Sequence, residues 1–184
     1  MSALGQIADD CGVSARTLRR AGAGGLIRGD RGARGEVVIG PGEELYLRGH
    51  WPLLGALRAA LRTEPRVACA VIFGSFARGE DRAASDLDLL VALRPDARLP
   101  RAVLAARIER AGGRGCDVVL LSDVESNPIL FDEILRDGRP LVDRAGVWPA
   151  LRARREQIER DAVRRERELA RRARTSIDAF LAVP

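Results

Sequence analysis

The feature that most constrains this chain is the segment IFGSFARGEDRAASDLDLLV at residues 72–91. An apolar run ends at Gly74-Ser75, and a second apolar run, which begins ten residues later, contains Asp86 and Asp88. Side chains alternate between the faces of a strand, so both carboxylates are expected on one face while the leucines around them point into the core. Two carboxylates this close repel each other unless a cation lies between them. The segment therefore predicts a functional site.

A third carboxylate, Asp117, begins a later apolar run, CDVVLL, which predicts another strand of the same sheet. Carboxylate oxygens suit Mg²⁺, which typically takes one or two protein carboxylates together with substrate phosphates. Three convergent acids can hold two divalent ions about 3.5–4 Å apart, an arrangement that stabilises the attacking and leaving oxygens of an in-line displacement at phosphorus. We therefore expect Asp86, Asp88 and Asp117 to bind Mg²⁺.

The glycine and serine that end the first apolar run predict a phosphate-binding turn. A glycine directly after a strand lets a ligand approach the backbone, and exposed N–H groups with a serine hydroxyl can contact phosphate oxygens. Arg78, three residues after Ser75, offers a planar guanidinium to the same phosphates. G-S and D-x-D are each weak signals, but their joint spacing between two apolar strands, with a third Asp downstream, is a strong one.

This combination of G-S, ten residues and D-x-D resembles the signature of the DNA polymerase β-like nucleotidyltransferase superfamily. It is most similar to the minimal, MNT-type members found in prokaryotic toxin–antitoxin pairs, and the resemblance covers roughly residues 53–143. It implies Mg²⁺-dependent transfer of a nucleoside monophosphate from ATP or another NTP, with release of pyrophosphate.

The resemblance also implies roles for individual residues. The implied catalytic and metal-binding set comprises Asp86, Asp88 and Asp117, of which the first two would bind both metal ions and the third would also act as the base. Gly74 and Ser75 would bind the triphosphate. Arg78 and Ser85 match the frequent G-S-x-A-R-G and S-D-x-D forms and would also contact the nucleotide.

Three functions stay open because the motif indicates what is transferred better than it indicates the acceptor. The favoured hypothesis is transfer of AMP from ATP to a partner protein, a HEPN-type toxin that the modification silences. The first alternative is an RNA-directed transferase that acts on tRNA as a toxin. The second alternative is a DNA-binding transcriptional regulator whose nucleotidyltransferase fold senses nucleotide with little turnover.

The first forty residues predict a small winged helix-turn-helix domain. LGQIADDC and ARTLRRA predict two short helices joined at Gly12 and Ser14, and LIRGDRGARGEVVI predicts a β-hairpin. The resemblance implies that the second helix and the wing contact operator DNA through Arg16, Thr17, Arg19, Arg20, Arg28, Arg31 and Arg34. The same residues could instead form the solvated face of a protein-interaction module.

The remaining elements predict an α/β (α+β) fold, a small mixed sheet covered by helices in two layers. A helix over 43–65 is expected to bury Leu45, Leu54, Leu57, Ala60 and Leu61. ACAVIFGS, DLDLLVAL, CDVVLLS and RPLVD predict strands, whereas ARLPRAVLAARIERAGG and PILFDEILRDG predict helices. An amphipathic helix is expected from Pro149 to Leu181. The predicted domains are therefore 1–40, a nucleotidyltransferase domain over 41–145, and a C-terminal helix over 146–184.

Composition excludes several other chemistries. All 31 basic residues are arginine, and without lysine neither a P-loop nor Schiff-base catalysis is available. The single histidine, His50, lacks an accompanying nucleophile motif. The three cysteines have neither the number nor the spacing of a disulfide framework or a zinc site.

Charge and hydropathy bound the partners. The net charge of +5 is compatible with a nucleotide or nucleic-acid partner. No run of apolar residues is long enough to span a membrane, and the first residues do not resemble a signal peptide, so we expect a cytoplasmic protein. The apolar stripe of the C-terminal helix needs burial on the domain or on a partner, and a homodimer is one expectation.

Overall fold

The computed structural model describes residues 3–32 and 37–181. The elements over these residues are α1 (Ala3–Asp10), α2 (Ala15–Ala23), β1 (Asp30–Arg31), β2 (Val37–Val38), α3 (Pro41–Arg62), β3 (Val67–Phe73), α4 (Gly74–Arg78), β4 (Leu87–Leu93), α5 (Arg101–Gly112), β5 (Cys116–Leu120), α6 (Leu121–Val124), α7 (Pro128–Asp137), β6 (Arg139–Asp143), α8 (Val147–Ala153) and α9 (Arg155–Leu181). Within these residues, no helix combines the length and apolarity that crossing a membrane requires.

A four-stranded mixed sheet, in the order β5-β4-β3-β6, forms the centre of the fold. The central strand β3 has the sequence VACAVIF, and all seven of its residues are buried. It pairs antiparallel with β4 and with β6, whereas β4 pairs parallel with β5. A strand buried on both faces needs apolar residues at every position, which explains why this run does not alternate. The predicted α/β fold with a small mixed sheet is confirmed.

Helices cover both faces of the sheet, so the fold has three layers where two were expected. Ala70 and Ile72 of β3 pack with α3 and α5 in one apolar cluster. Val71 and Phe73, which point the opposite way, pack with α7, α8 and α9 in the other. Asp88 is one residue from Leu89 of the first cluster, so by alternation it faces the α7 side of the sheet.

The N-terminal segment has the predicted elements, two short helices followed by an antiparallel pair of two-residue strands. Ser14 caps α2 as expected, because its hydroxyl accepts a hydrogen bond from the Thr17 N–H at 3.2 Å. Ile7 and Leu18 are fully buried and share one apolar cluster with Leu47 of α3. The N-terminal segment is therefore built onto the same core as the sheet, while the domain boundaries stay predictions.

Two predictions about helices were wrong in detail. Leu45 is 74% exposed, whereas Leu54, Leu57 and Leu61 are buried as expected. The first turns of α3 bury Tyr46 and Leu47 instead, which lie on the same side of the helix as Leu54, Leu57 and Leu61, whereas Leu45 lies on the opposite side.

The C-terminal helix is also interrupted, since α8 ends at Ala153 and α9 starts at Arg155. The break lets Ile158 and Ala162 of α9 pack in the α7 layer, where each is 5% exposed. Farther along α9, Leu169 is 43% and Ile177 57% exposed, so the second half of the predicted stripe is not buried on the domain.

Arg139, the first residue of β6, places a charge in the core and is 2% exposed. Its guanidinium donates two hydrogen bonds to the Glu43 carboxylate, with 2.8 Å between Nη2 and Oε2. It also donates to the carbonyl oxygens of Leu26 at 3.1 Å and Ala77 at 2.7 Å. The guanidinium carbon lies 3.7 Å from the ring centroid of Tyr46, a cation–π contact. Arg139 therefore joins the N-terminal segment, α3, α4 and β6.

Replacing Arg139 by methionine should lower the free energy of unfolding by about 3–5 kcal/mol, because the Glu43 carboxylate would stay buried without its partner. Urea unfolding followed by circular dichroism measures this. Arg152→Met, a matched change at an exposed arginine of α8, is the control. The double variant Glu43→Leu/Arg139→Met should recover part of the loss, since no buried charge is left unpaired. A loss no larger than that of the control would contradict this account.

Candidate functional site

Strand register brings two of the predicted carboxylates together. Phe73 at the end of β3 pairs with Asp88 of β4, and Asp88 pairs with Asp117 of β5. Neighbouring strands lie about 4.8 Å apart, so Asp88 and Asp117 occupy adjacent positions on the same edge of the site. Asp86 lies just before β4, not within the strand as predicted, and is exposed. The structure thus places Asp88 and Asp117 side by side, and only one of the two D-x-D residues belongs to the strand; metal binding by the three acids stays a prediction.

Gly74 forms the turn at which β3 passes directly into α4. Its φ of +69° belongs to the left-handed region that glycine adopts without strain. A Cβ at this position would overlap the Oδ2 atom of Asp88, so the carboxylate occupies the space that only glycine leaves open. The segment GSFAR therefore forms a five-residue helix beside the acids, and Gly79, with a φ of +78°, ends it.

Gly115 makes a second close approach that the sequence analysis missed. A Cβ at this position, directly before β5, would overlap Oδ1 of Asp86. The backbone N–H of Leu87 also donates to the Gly115 carbonyl at 2.9 Å. The glycine next to an arginine in GRGCDVV was the only available signal, and it does not indicate a contact with a residue almost thirty positions earlier.

Asp81 fixes the connection between α4 and β4. One of its carboxylate oxygens lies 2.9 Å from Nε2 of His50, and the other accepts a hydrogen bond from Arg114 at 2.7 Å. Arg114 directly precedes Gly115, which packs against Asp86. Asp81 therefore connects the loop before Asp86 with the loop before β5. The sequence analysis assigned no role to His50, Asp81 or Arg114, because no local pattern relates them.

Ser85 takes part in the turn before β4. Its hydroxyl oxygen accepts a hydrogen bond from the Arg82 N–H at 3.0 Å. This contact orders the backbone that carries Asp86. A direct contact of Ser85 with nucleotide stays a prediction.

A cavity of about 390 Å³ opens beside Gly74 and Ser75. Its walls come from the end of β3, from α4, from β4 and from α7, and the lining residues are Phe73, Gly74, Ser75, Arg78, Asp88, Leu130, Glu133 and Asp137. Four predicted site residues therefore line one cavity, namely Gly74, Ser75, Arg78 and Asp88. Asp86, Asp117 and Ser85 are not among its lining residues.

Arg78 lies in this cavity with its guanidinium engaged by two carboxylates. Its Nε donates to Glu80 at 2.7 Å, and Nη1 donates to Asp137 at 3.0 Å. These hydrogen bonds raise the pKa of Arg78 above its usual value. A phosphate that binds Arg78 would compete with both acids, of which only Asp137 is buried.

The electrostatics of the carboxylates favour a cation. Burial raises the pKa of Asp88 above its usual value, and the negative charges of Asp117 and Asp86 raise it further. The charge of Arg78 acts in the opposite direction but is the smallest of these influences. A divalent cation next to Asp88 would offset both the desolvation and the repulsion.

The donor set fits Mg²⁺ bound together with a substrate. Among the residues that the structure describes, no three Asp, Glu, His or Cys side chains are grouped closely enough to form a complete metal site. Mg²⁺ usually keeps several waters and takes only one or two carboxylates, with substrate phosphates as further ligands. Asp88, which lies between Gly74 and Asp117, meets that requirement.

The residues predicted to contact DNA fall into three groups. Arg16, Arg19 and Arg20 are exposed on α2, and the Thr17 hydroxyl lies 2.9 Å from that of Ser14. Arg28 is instead engaged inside the protein, because its guanidinium donates to the Asp137 carbonyl and its N–H donates to Glu43 at 2.9 Å. Arg31 is described only as the backbone of β1, and Arg34 lies outside the described residues.

Comparison with known protein families identifies the region around this site. Residues 56–146 match the family model described as polymerase beta, nucleotidyltransferase. The matched region contains every residue predicted to bind nucleotide or metal. No curated protein sequence matches the chain significantly.

Solved structures share part of the fold. A chain in the crystal structure of a toxin–antitoxin with AMP-PNP is 20% identical, with 70% of this chain and 98% of that chain covered and a TM-score of 0.46. A chain in the complex of a tri-AMPylated Shewanella oneidensis HEPN toxin with MNT antitoxin is 19% identical, with 71% of this chain and 97% of that chain covered and a TM-score of 0.42. A nucleotidyltransferase structure from Sulfolobus solfataricus is 17% identical, with 54% of this chain and 87% of that chain covered and a TM-score of 0.36. At these scores the likenesses carry no argument about an acceptor.

Asp88→Asn should raise the melting temperature of the metal-free protein at neutral pH, because it removes a desolvated charge that two other acids repel. The sign follows from the raised pKa of Asp88. A group with a raised pKa stabilises the fold below its unfolded pKa, and this contribution is lost as pH rises through the folded value. The variant should therefore lose less stability than the wild type as pH rises above the usual range of Asp.

Thermal denaturation across this pH range, without divalent ions, measures the difference. Glu166→Gln, at an exposed position of α9, is the control for loss of one negative charge. A variant that is less stable than both proteins at neutral pH would contradict the proposed repulsion.

Proposed function

Since residues 56–146 form a nucleotidyltransferase domain of the polymerase β family, we propose that this protein transfers AMP from ATP to a hydroxyl group of a partner protein in a Mg²⁺-dependent reaction. The observation that carries the proposal is the position of Asp88. It lies between Asp117 on one side and the Gly74-Ser75 turn on the other. The acids proposed to bind metal and the turn proposed to bind phosphate are thus adjacent.

In this mechanism the turn binds the triphosphate. The Ser75 hydroxyl and the backbone N–H groups at the start of α4 donate to phosphate oxygens, and Gly74 lets the chain approach them. Arg78 exchanges its contacts with Glu80 and Asp137 for a bidentate contact with phosphate. The cavity of about 390 Å³ beside the turn provides space for part of the nucleotide.

The carboxylates divide the remaining tasks. Asp86, Asp88 and Asp117 hold Mg²⁺, which when bound neutralises the charge that develops on the phosphate oxygens. Asp117 also accepts the proton of the acceptor hydroxyl, a role that suits its exposure at the start of β5. The Asp81 contacts with His50 and Arg114 fix the loop that positions Asp86.

The choice of a protein acceptor, a helical toxin that AMP transfer silences, rests on the resemblance of the G-S and D-x-D motifs to MNT-type antitoxins. One structural feature is compatible with it. The second half of α9 keeps Leu169 and Ile177 exposed, which leaves apolar surface for a partner.

We test the reaction with ATP labelled at its α-phosphate, Mg²⁺, and two acceptor pools, proteins encoded next to this gene and total tRNA. The label should move to a protein, and Asp88→Asn should reduce the rate by at least about a hundredfold, since a metal ligand supplies several kcal/mol of transition-state stabilisation. Asp132→Asn, an α7 carboxylate that does not line the cavity, should keep the rate.

Each other outcome rejects a specific part of the proposal. Label on tRNA alone would exclude a protein acceptor and support the RNA-directed alternative. Pyrophosphate release that survives in Asp88→Asn would remove the assigned role of Asp88. An absence of turnover with either pool, together with nucleotide-dependent DNA binding, would support the regulator.

A second function is favoured by the surface of α2. Arg16, Arg19 and Arg20 are spaced at i, i+3 and i+4 and are exposed, while Leu18 and Ala21 pack into the core from the other side of the helix. We propose that this basic face binds operator DNA, as the resemblance to winged helix-turn-helix domains implies.

Arg16→Gln/Arg19→Gln should weaken binding of a DNA duplex from the promoter region and reduce its salt dependence, because phosphate contacts are lost. Fluorescence anisotropy of a labelled duplex measures both quantities. Unchanged affinity and salt dependence in this variant would exclude α2 as the contact surface.

A further inference from the structure

We propose that a basic cleft between α2, α3 and β6 binds the phosphodiester backbone of duplex DNA that lies against α2. The inference rests on the proposed DNA binding by α2 and adds a site to it. Its contact residues are Arg58 and Arg62 of α3 together with Arg20 of α2, and Arg58 and Arg62 belong to no motif that predicted DNA contacts.

The cleft runs along the edge strand β6 on the α3 side of the sheet, whereas Asp88 of the candidate active site faces the α7 side. It has a volume of about 310 Å³, and Leu141 and Asp143 form part of its wall. Strand β6 runs antiparallel to β3, with Asp143 opposite Cys69 near the start of β3 and Arg139 opposite Ile72 near its end. The wall also includes Pro140, opposite Val71, so the cleft extends along β6 and is separated from Asp88 of β4 by the intervening strand β3 and by the sheet itself.

The charges in the cleft are unbalanced. Arg58 and Arg62 lie four residues apart on α3, a spacing at which like charges repel each other on a helix surface. Arg58 is partly buried and donates from Nε to the Leu141 carbonyl at 3.2 Å. Burial lowers the pKa of Arg58, and the charge of Arg62 lowers it further. Among the described residues, no carboxylate forms an ion pair with either arginine, so a bound anion would relieve the repulsion.

The acid in the cleft wall is already used by the backbone. The carboxylate of Asp143 accepts hydrogen bonds from the N–H groups of Val147 at 3.0 Å and Trp148 at 3.1 Å, and so orders the start of α8. Arg144, also in the wall, donates to carbonyl oxygens near the end of α3, including that of Leu61 at 3.1 Å. Arg144 and Asp143 are therefore both engaged in hydrogen bonds to the backbone. Arg20, Arg58 and Arg62 remain to contact a ligand.

The position of Arg20 indicates which anion the cleft takes. Arg20 lies in the last turn of α2 and lines the cleft, while Arg16 and Arg19 are exposed on the same helix. The basic surface of α2 therefore continues through Arg20 to Arg58 and Arg62 of α3. Duplex DNA that places α2 in its major groove presents a phosphate backbone beside that helix, and arginine forks suit phosphate geometry.

The experiment measures binding of a short labelled DNA duplex by anisotropy over a range of salt concentrations. Arg62→Gln should reduce the slope of log K against log salt by about 0.9, and Arg58→Gln/Arg62→Gln by about 1.8. If the variant and the wild type bind equally in 1 M salt, each lost contact weakens binding by the variant at 0.1 M salt on the order of eightfold. Melting temperatures should not fall for Arg62→Gln, because that side chain is exposed.

Two controls separate the cleft from the rest of the protein. Arg110→Gln removes an exposed arginine of α5 whose Nε contacts only its own helix, and it should leave the slope unchanged. AMP transfer by Arg62→Gln should equal that of the wild type, since the cleft lies away from the nucleotide.

The outcomes distinguish this inference from DNA binding by α2. If Arg16→Gln/Arg19→Gln weakens binding while both cleft variants behave like Arg110→Gln, the cleft is not a DNA site and α2 remains one. If the wild-type protein binds no duplex, both proposals are overturned. If the cleft variants weaken binding of tRNA but not of duplex DNA, the assigned ligand is wrong.

Discussion

The buried contact between Arg139 and Glu43 is the constraint on which the rest of the structure depends. A charge in the core is tolerated only when its donors are paired, and here the partners come from three segments distant in sequence. One of them is the carbonyl of Ala77 in α4, the helix that begins with Gly74-Ser75. Asp137, two residues before Arg139, accepts from Arg78 through its carboxylate and from Arg28 through its carbonyl. The N-terminal segment and the proposed phosphate-binding turn therefore share one anchor.

The candidate site destabilises the fold when neither metal ion nor nucleotide is bound. Burial raises the pKa of Asp88, and the negative charges of Asp117 and Asp86 raise it further. Glycines at 74 and 115 allow this arrangement, because a Cβ at either position would overlap an Asp side chain. Such repulsion would be disadvantageous in a structural sheet, whereas in a metal site it is relieved each time the metal ion and nucleotide bind. Burial and repulsion at Asp88 are thus evidence for function that is independent of the motif.

The parts of the fold that were predictable are those encoded by local pattern. The apolar run of β3, the helical segment PILFDEILRDG of α7 with its end at Gly138, and the Ser14 cap all act within a few residues. The errors concern long-range packing. The first turns of α3 have leucine on both sides, and packing buries Leu47 while Leu45 is exposed. In the same way, α9 turns away from α8 to cover α7. The contacts of Asp81 and Gly115 join segments about thirty residues apart, for which the sequence holds no periodic signal.

The distribution of charge relates the two proposed activities. Acids are concentrated where β3 ends and β4 and β5 begin, while Arg20, Arg58 and Arg62 surround the cleft beside β6 on the α3 side of the sheet. A polyanion is attracted to these arginines, and the carboxylates repel it until a cation is bound. A nucleic acid on the cleft would therefore leave the proposed active site free for a different molecule. This separation favours a protein over a nucleic acid as the acceptor of AMP, because a protein can approach the acids without bringing further phosphates. The two proposed activities, DNA binding and AMP transfer, would therefore be compatible in one chain.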